Sequence, residues 1–207
     1  MGSSKEIEIK FRINKLSALA RDLREAGFRV VTARTQEMNA LYDLPNRAMQ
    51  QRGELLRLRK YGLQWVLTHK AKGTEGRHKT RIETETGIAD GKKMDEILRA
   101  LGYEPTFRYE KFRTEWSDGR GHVVVDETPI GNFGEIEGQP RWIDQVARRL
   151  RISARDYITE TYAGLFFKWK QQTQSPASEM TFKAVPAGNP ISRSPGNKNA
   201  RQTRRAS

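Results

Sequence analysis

Strict alternation of charged and apolar residues marks the start of the chain. Over residues 6–13 every even position is charged and every odd position is apolar. Side chains alternate between the two faces of a strand, so this segment predicts a β-strand with one charged and one apolar face. A polar extended segment follows over 28–42, and related patterns predict strands over 55–61, 63–72, 77–86, 106–116, 122–128 and 133–138.

Apolar residues at helical spacing separate some of these strands. Two of the predicted helices stop at a glycine, Gly27 and Gly102, and another begins at Pro140. The pattern predicts helices over 16–26, 90–101, 140–150 and 153–169. Because strands that follow one another directly dominate this order, we expect an antiparallel α+β fold of about eight strands rather than a doubly wound parallel sheet.

The charge distribution divides the chain into two parts. The whole sequence of 207 residues has a net charge of +13, with 38 Lys and Arg against 25 Asp and Glu. Residues 171–207 hold six of the basic residues, one acid and four of the eight prolines, with little apolar periodicity. We therefore predict a folded domain over 1–170 and a basic disordered tail over 171–207. The tail is either a solvated extension or an arm that binds nucleic acid or an acidic partner. In the enzyme that we expect, nucleic acid would bind only through this tail.

Several classes of protein are excluded by composition. The chain has no cysteine and only three scattered histidines, so disulfides, thiolate catalysis and familiar zinc motifs are excluded. Its longest apolar runs are a few residues, far short of the roughly 20 that cross a bilayer. The first residues contain no apolar leader. We expect a cytoplasmic protein without membrane contact, in which carboxylates hold any metal.

One face of the predicted strands carries charges of both signs. Two architectures satisfy this pattern. In an open sheet the charged face meets water; in a closed sheet of about eight strands it surrounds an interior that accommodates side chains or one small ligand. The face combines seven bases and seven acids: Lys10, Arg57, Arg59, Lys70, Arg81, Lys111 and Arg113, and Glu6, Glu8, Glu83, Glu85, Asp126, Glu135 and Glu137.

A closed interior of this composition suits a polyphosphate with a divalent cation. Lysine and arginine donate charge-assisted hydrogen bonds to phosphoryl oxygens. Carboxylates are hard oxygen ligands for Mg²⁺ or Mn²⁺, which bridge them to substrate phosphates. The acids that suit this role are Glu6, Glu8, Asp126, Glu135 and Glu137.

The N-terminal strand contains a recognisable motif. Glu6-Ile7-Glu8-Ile9-Lys10 resembles the Glu-x-Glu-x-Lys signature of the CYTH superfamily, the triphosphate tunnel metalloenzymes. An ordered series supports the resemblance over nearly all of residues 5–138: Tyr42-Asp43, Leu56-Arg57-Leu58-Arg59, Leu67-Thr68-His69-Lys70, Arg81-Ile82-Glu83, Lys111-Phe112-Arg113, Val125-Asp126-Glu127 and Gly134-Glu135-Ile136-Glu137-Gly138. The closing helices also resemble those of bacterial class IV adenylate cyclases.

The resemblance implies a closed antiparallel eight-stranded tunnel that holds a triphosphate. On the matching positions, the residues that would grip phosphates are Lys10, Arg57, Arg59, Lys70, Arg81, Lys111 and Arg113. Those that would hold one or two divalent metals are Glu6, Glu8, Asp126, Glu135 and Glu137. Lys10, Glu83 and Glu85 would take part in catalysis, the two acids by positioning metal or water.

Three functions remain open from the sequence. The first is a class IV adenylate cyclase-like enzyme that converts ATP to cyclic AMP and pyrophosphate. The second is a hydrolase of inorganic triphosphate or thiamine triphosphate, because the phosphate-binding residues would be shared. The third is a non-catalytic module that binds polyphosphate or RNA. The sequence leaves the oligomeric state open, a homodimer included.

Overall fold

Eight antiparallel strands close into a barrel in the order β1-β5-β4-β3-β2-β6-β7-β8. The computed structural model describes residues 4–74 and 76–185. The strands are β1 (Ser4–Ile13), β2 (Arg29–Asp43), β3 (Leu55–Tyr61), β4 (Gln64–Lys70), β5 (Lys79–Ile88), β6 (Glu104–Ser117), β7 (His122–Thr128) and β8 (Gly131–Glu137). The closed α+β barrel is confirmed, so the open-sheet alternative is wrong.

The helices cover the apolar outside of the barrel. They are α1 (Leu16–Glu25), α2 (Ala48–Gln51), α3 (Gly91–Ala100), α4 (Pro140–Arg149) and α5 (Tyr162–Thr173). Helices α1 and α4 pack over Ile9, Phe11 and Ile136, and so bury the apolar faces of β1 and β8. The third packs over Leu58, and the fifth over Phe133. Within the described residues, no helix has the length and apolar character needed to cross a membrane.

The register of the strands places their charged faces inside the barrel. Across β1 and β8, Glu8 lies opposite Glu137 and Lys10 opposite Glu135. Across β1 and β5, Glu6 lies opposite Arg81. Opposed residues of an antiparallel pair project to the same face, so the charges of successive strands meet in one lumen.

The last helix starts later than the periodicity predicted. α5 begins at Tyr162, and the Thr161 side chain caps it by accepting a hydrogen bond from the Gly164 N–H (3.2 Å). Ser153 caps only a single 3₁₀ turn. The segment between them is extended because the Ile158 N–H donates to the Lys10 carbonyl oxygen (2.8 Å), which attaches it to the barrel.

The folded body also continues beyond the predicted boundary at residue 170. Met180 is fully buried, its N–H donates to the Arg108 carbonyl (3.0 Å), and its carbonyl accepts from the Glu110 N–H (2.9 Å). β7 pairs with β6 only from Phe112 onward, so this contact fills an edge that β7 leaves unpaired. Residues 171–185 are therefore part of the described structure. The remainder of the predicted tail, 186–207, lies outside the described residues.

Candidate active site

A cavity of about 260 Å³ occupies the lumen of the barrel. All seven bases predicted from the sequence line it, and Lys79 at the start of β5 is an eighth. Seven acids share the lining: Glu6, Glu8, Glu83, Glu85, Glu115, Glu135 and Glu137. Burying charges of both signs is costly unless they are paired or bound to ions, so such a lining is typical of an ion-binding site.

Three of the four arginines of the lining have a donor that remains unused. The Nε atoms of Arg57, Arg59 and Arg81 are buried and have no hydrogen-bond acceptor within the described part of the chain. The Nη2 group of Arg57 donates to the Thr68 hydroxyl (3.2 Å) and to Glu85 (3.3 Å). A buried unsatisfied N–H carries a desolvation cost, which an anionic ligand in the cavity would remove.

A dense charge network forms the wall made by β2, β6 and β7. Lys111 Nζ lies 2.9 Å from Asp126 Oδ2 and 3.4 Å from Glu37 Oε1, and Arg113 forms a bidentate pair with Asp126 at 2.7 and 2.8 Å. Burial alone would raise the pKa of Glu37, but Lys111, Arg113 and the arginines of β3 lower it below its usual range. This network holds the two cations in fixed positions at the cavity.

Tyr162 connects the last helix to that wall. Its hydroxyl donates to Asp126 Oδ2 (2.6 Å), and its ring lies 4.6 Å from Lys10 Nζ and 4.8 Å from Lys111 Nζ. A lysine ammonium over an aromatic face is attracted by the ring quadrupole. Tyr162 thus orients one acid and two of the predicted phosphate-binding lysines.

Three acids group at the other side of the cavity. One carboxylate oxygen from each of Glu6, Glu8 and Glu137 lies within 4.8 Å of the others. Lys70 contacts Glu6 (2.8 Å) and Lys79 contacts Glu8 (3.3 Å), whereas Glu137 has no cation within ion-pairing distance among the described residues.

The electrostatics of this triad fit a divalent cation. Burial, reinforced by the negative charges of Glu135, Glu8 and Glu6, raises the pKa of Glu137 to about 8. A bound cation would compensate that repulsion and keep the carboxylate ionised. Oxygen donors are the ligands that Mg²⁺ and Mn²⁺ prefer, so the residues present suit the metal that the sequence predicted.

The two other predicted metal ligands lie among cations instead. Asp126 is fully buried between Lys111 and Arg113, and Glu135 contacts Lys10 (3.1 Å) and Arg113 (2.6 Å). Burial would raise the pKa of Glu135, but these cations hold it well below its usual range. The structure therefore separates the five predicted ligands into a triad of grouped acids and a pair that fixes the basic wall.

The predicted catalytic acids lie on β5 beside the triad. Glu83 contacts Lys70 (3.0 Å), and burial, the first cause, raises its pKa to about 7 despite that cation. Glu85 accepts a hydrogen bond from the Thr68 hydroxyl (2.6 Å) and contacts Arg57 and Arg59. Burial alone would raise the pKa of Glu85, but the hydrogen bond from Thr68 and the two arginines outweigh burial and lower it.

Two further cavities open from the lumen. One of about 470 Å³ shares Glu6, Glu83 and Glu137 with it. The other, of about 420 Å³, shares Leu41 and Leu55, and continues past Leu56, Phe107 and Phe167. The lumen thus has an acidic side and a side with apolar walls.

Sequence patterns alone missed several lining or supporting residues. Glu37 stood in the segment 28–42, whose polar middle gave no clear pairing. Lys79 lies two residues before Arg81 on β5, so its side chain lies on the same face as those of Arg81 and Glu83. The alternation of the strand could therefore have identified Lys79. Tyr162 could not, because its contacts depend on how α5 docks.

Comparison with known proteins agrees with this geometry. A family model described as the CYTH domain matches residues 4–162. A protein of Methanocaldococcus jannaschii, provisionally named an adenylate cyclase, is 27% identical over 171 residues, which cover 77% of this chain and 97% of that protein. An adenylate cyclase of Aeromonas hydrophila is 27% identical over 175 residues, covering 77% of this chain and 87% of the relative.

A solved structure is similar in fold. It is a Hippeastrum protein described as a provisional adenylyl cyclase with a dominant triphosphatase activity, and it superposes with a TM-score of 0.58 at 20% identity. The match covers 79% of this chain and 95% of that one.

Proposed function

Because the chain belongs to the CYTH domain family, we propose that it is a divalent-metal-dependent enzyme that acts on a triphosphate in the lumen. The observation that carries the proposal is the division of the cavity into a basic wall and a grouped set of acids, Glu6, Glu8 and Glu137. A binding module for anions alone would have no use for the acids, which repel phosphate unless a cation lies between them.

The phosphate chain is gripped by the seven bases predicted from the sequence. Arg57, Arg59 and Arg81 contribute the buried N–H groups that have no acceptor within the described residues. Lys10 and Lys111 are held by acids and by Tyr162, so they present their charge without reorganisation. Preorganised cations of this kind stabilise the charge that develops on phosphoryl oxygens.

The triad would hold one metal ion, with Asp126 and Glu135 keeping the adjoining cations in position. A divalent ion there supplies Lewis-acid stabilisation of phosphoryl oxygens when it is bound. Glu83 and Glu85 complete the acid side, where they would position the attacking hydroxyl or water.

The apolar side cavity favours an organic triphosphate over the inorganic ion. Leu41, Leu55 and Phe107 provide surface for a base or ring, and no such surface is needed by triphosphate alone. We therefore place an adenylate cyclase-like reaction on ATP first. There the ribose 3′-hydroxyl would lose its proton to solvent and attack the α-phosphorus. The bond from that phosphorus to the oxygen that bridges it to the β-phosphorus would break, and pyrophosphate would leave with that oxygen.

Hydrolysis is the second candidate, since the same cations would stabilise attack by water on the terminal phosphorus. The activity described for the Hippeastrum relative favours it. A product assay separates the two: the full chain is incubated with Mg²⁺ or Mn²⁺ and ATP, inorganic triphosphate or thiamine triphosphate. Cyclic AMP with pyrophosphate supports the cyclase; orthophosphate without cyclic AMP rejects it in favour of the hydrolase.

We expect Glu137→Gln to abolish the metal-dependent product while the circular dichroism spectrum stays unchanged. The amide keeps the side-chain shape but removes the charge of a proposed ligand. Glu127→Gln is the matched control, because Glu127 pairs with Arg34 on the outer surface (2.7 Å). Full activity in the Glu137 variant would show that the triad does not hold the metal.

A further inference from the structure

A group of exposed arginines lies on the outer side of α4 and in the segment that follows it. Residues 141–155 contain one acid, Asp144, which pairs with Arg77 and His78. Five arginines of this stretch are exposed, and no ion pair or ring contact engages them within residues 4–74 and 76–185. We name them the arginine surface: Arg141, Arg148, Arg149, Arg151 and Arg155.

Three of these side chains, those of Arg141, Arg148 and Arg149, lie on the solvent side of α4, and Arg151 and Arg155 are exposed in the segment that follows the helix. Arg141 and Arg148 are seven residues apart, two helical turns, so they lie on one face about 10 Å apart. The opposite face is packed on the barrel through Trp142, Ile143 and Val146. The positive charge is therefore presented outward by a rigid element.

The helix dipole explains only part of this distribution. Arg148 and Arg149 lie in the last turn, where a cation is favourable. Arg141 lies in the first turn, where the dipole disfavours it. Arg151 follows the helix and has a φ of +58°, a left-handed conformation that L side chains rarely adopt.

Helices α1, α3 and α4 end in the same way, with a residue of positive φ whose N–H donates to the carbonyl three residues before it. After α1, Gly27 at φ +87° donates to the Arg24 carbonyl, and after α3, Gly102 has the same φ and the equivalent bond. After α4, Arg151 makes that bond to Arg148 (3.0 Å). Glycine is the residue that this position favours. Arg151 therefore occupies, at a conformational cost, a position that glycine fills after α1 and α3.

We propose that the arginine surface binds the phosphate backbone of a nucleic-acid duplex without reading base sequence. Guanidinium groups form bidentate bonds with phosphates. No aromatic ring is exposed over 141–155, so bases of a single strand would have nothing to stack on. The apolar side chains of α4 face the barrel, so none is available to enter a lipid surface. This places nucleic acid on one outer surface of the folded body, separate from the lumen and from the basic tail.

The test compares two charge-matched variants of the full chain. Arg148→Ala/Arg149→Ala and Lys92→Ala/Lys93→Ala each remove an adjacent exposed pair from a helix, α4 or α3. Duplex binding is followed by fluorescence anisotropy over a range of salt. We expect the α4 variant to bind at least tenfold more weakly. The slope of the logarithm of its binding constant against the logarithm of the salt concentration should decrease in magnitude by about 2. The α3 variant should bind within twofold of the unaltered chain; equal losses from both pairs, or none from α4, overturn the proposal.

A single substitution separates binding from folding. Arg151→Gly removes a charge and relieves the left-handed strain, so we expect a higher unfolding temperature together with weaker duplex binding. A variant that is more stable and binds duplex unchanged overturns the role of Arg151. Phosphatidylserine vesicles form the second arm: vesicle binding stronger than duplex binding overturns the choice of ligand. Neither readout depends on turnover in the lumen, so this proposal and the proposed function fail separately.

Discussion

The side chain of Arg57 can be removed without leaving a neighbouring acid unpaired. It contacts Glu83 (3.6 Å) and Glu85 (3.3 Å), and its donors also reach Thr68. Glu83 retains Lys70 and Glu85 retains Arg59 when Arg57 is absent. Removing one partner of a buried pair is strongly destabilising when the other charge is left alone, which does not occur here.

We therefore expect Arg57→Ala to fold and to bind triphosphate about 10- to 100-fold more weakly, since a hydrogen bond to a charged group contributes about 1.5–3 kcal/mol. Isothermal titration with a non-hydrolysable triphosphate analogue and Mg²⁺ measures the change. Arg34→Ala is the control, because Arg34 is exposed and pairs with Glu127 outside the barrel. Unaltered affinity in the Arg57 variant would place its guanidinium away from the phosphates.

At the scale of elements, the strands were predictable because charge and apolarity alternate with period two. That alternation also identified the residues that share the lumen, such as Lys10, Arg57 and Lys111, without any knowledge of pairing. The start of α5 and the packing of Met180 were not predictable, because neither has a periodic signal. Both depend on tertiary contacts, the attachment of Ile158 to β1 and the unpaired edge of β6.

The turn between β2 and β3 is fixed by one carboxylate. Asp43 is buried and accepts hydrogen bonds from the N–H groups of Leu44 (2.8 Å), Met49 (3.0 Å) and Gln50 (2.9 Å). Burial alone would raise the pKa of Asp43, but these donors outweigh it and lower the pKa. The carboxylate thus joins the end of β2 to the first turn of α2.

We expect Asp43→Asn to lower the free energy of unfolding by about 1–3 kcal/mol at pH 7, because a charge-assisted acceptor is lost. The folded pKa is depressed, so the stabilisation is fully present above the unfolded value of about 4 and disappears as the pH falls through the lower folded value. Urea unfolding at pH 7 and near pH 2 measures both variants. A difference that is equally large at the two pH values would contradict this account.

For the whole molecule, the balance of charge in the lumen determines how a triphosphate can enter. Eight bases and seven acids line the cavity, and Glu37 and Asp126 are fully buried behind them. This interior has no excess of positive charge to neutralise a polyanion. A triphosphate bound there would need accompanying cations, and the grouped acids Glu6, Glu8 and Glu137 are where we propose that one binds.

This balance predicts that ligand and metal stabilise the fold jointly. With a non-hydrolysable triphosphate analogue and Mg²⁺ at about 100 times their dissociation constants, ligation contributes about 2.7 kcal/mol, which raises the unfolding temperature by roughly 5–10 °C in a domain of this size. With EDTA in place of Mg²⁺ we expect a much smaller shift from the same analogue. Differential scanning calorimetry of the unaltered chain and of Glu137→Gln measures both conditions. Equal shifts with and without the divalent ion would mean that the bases alone carry the ligand, and the metal site would have to be abandoned.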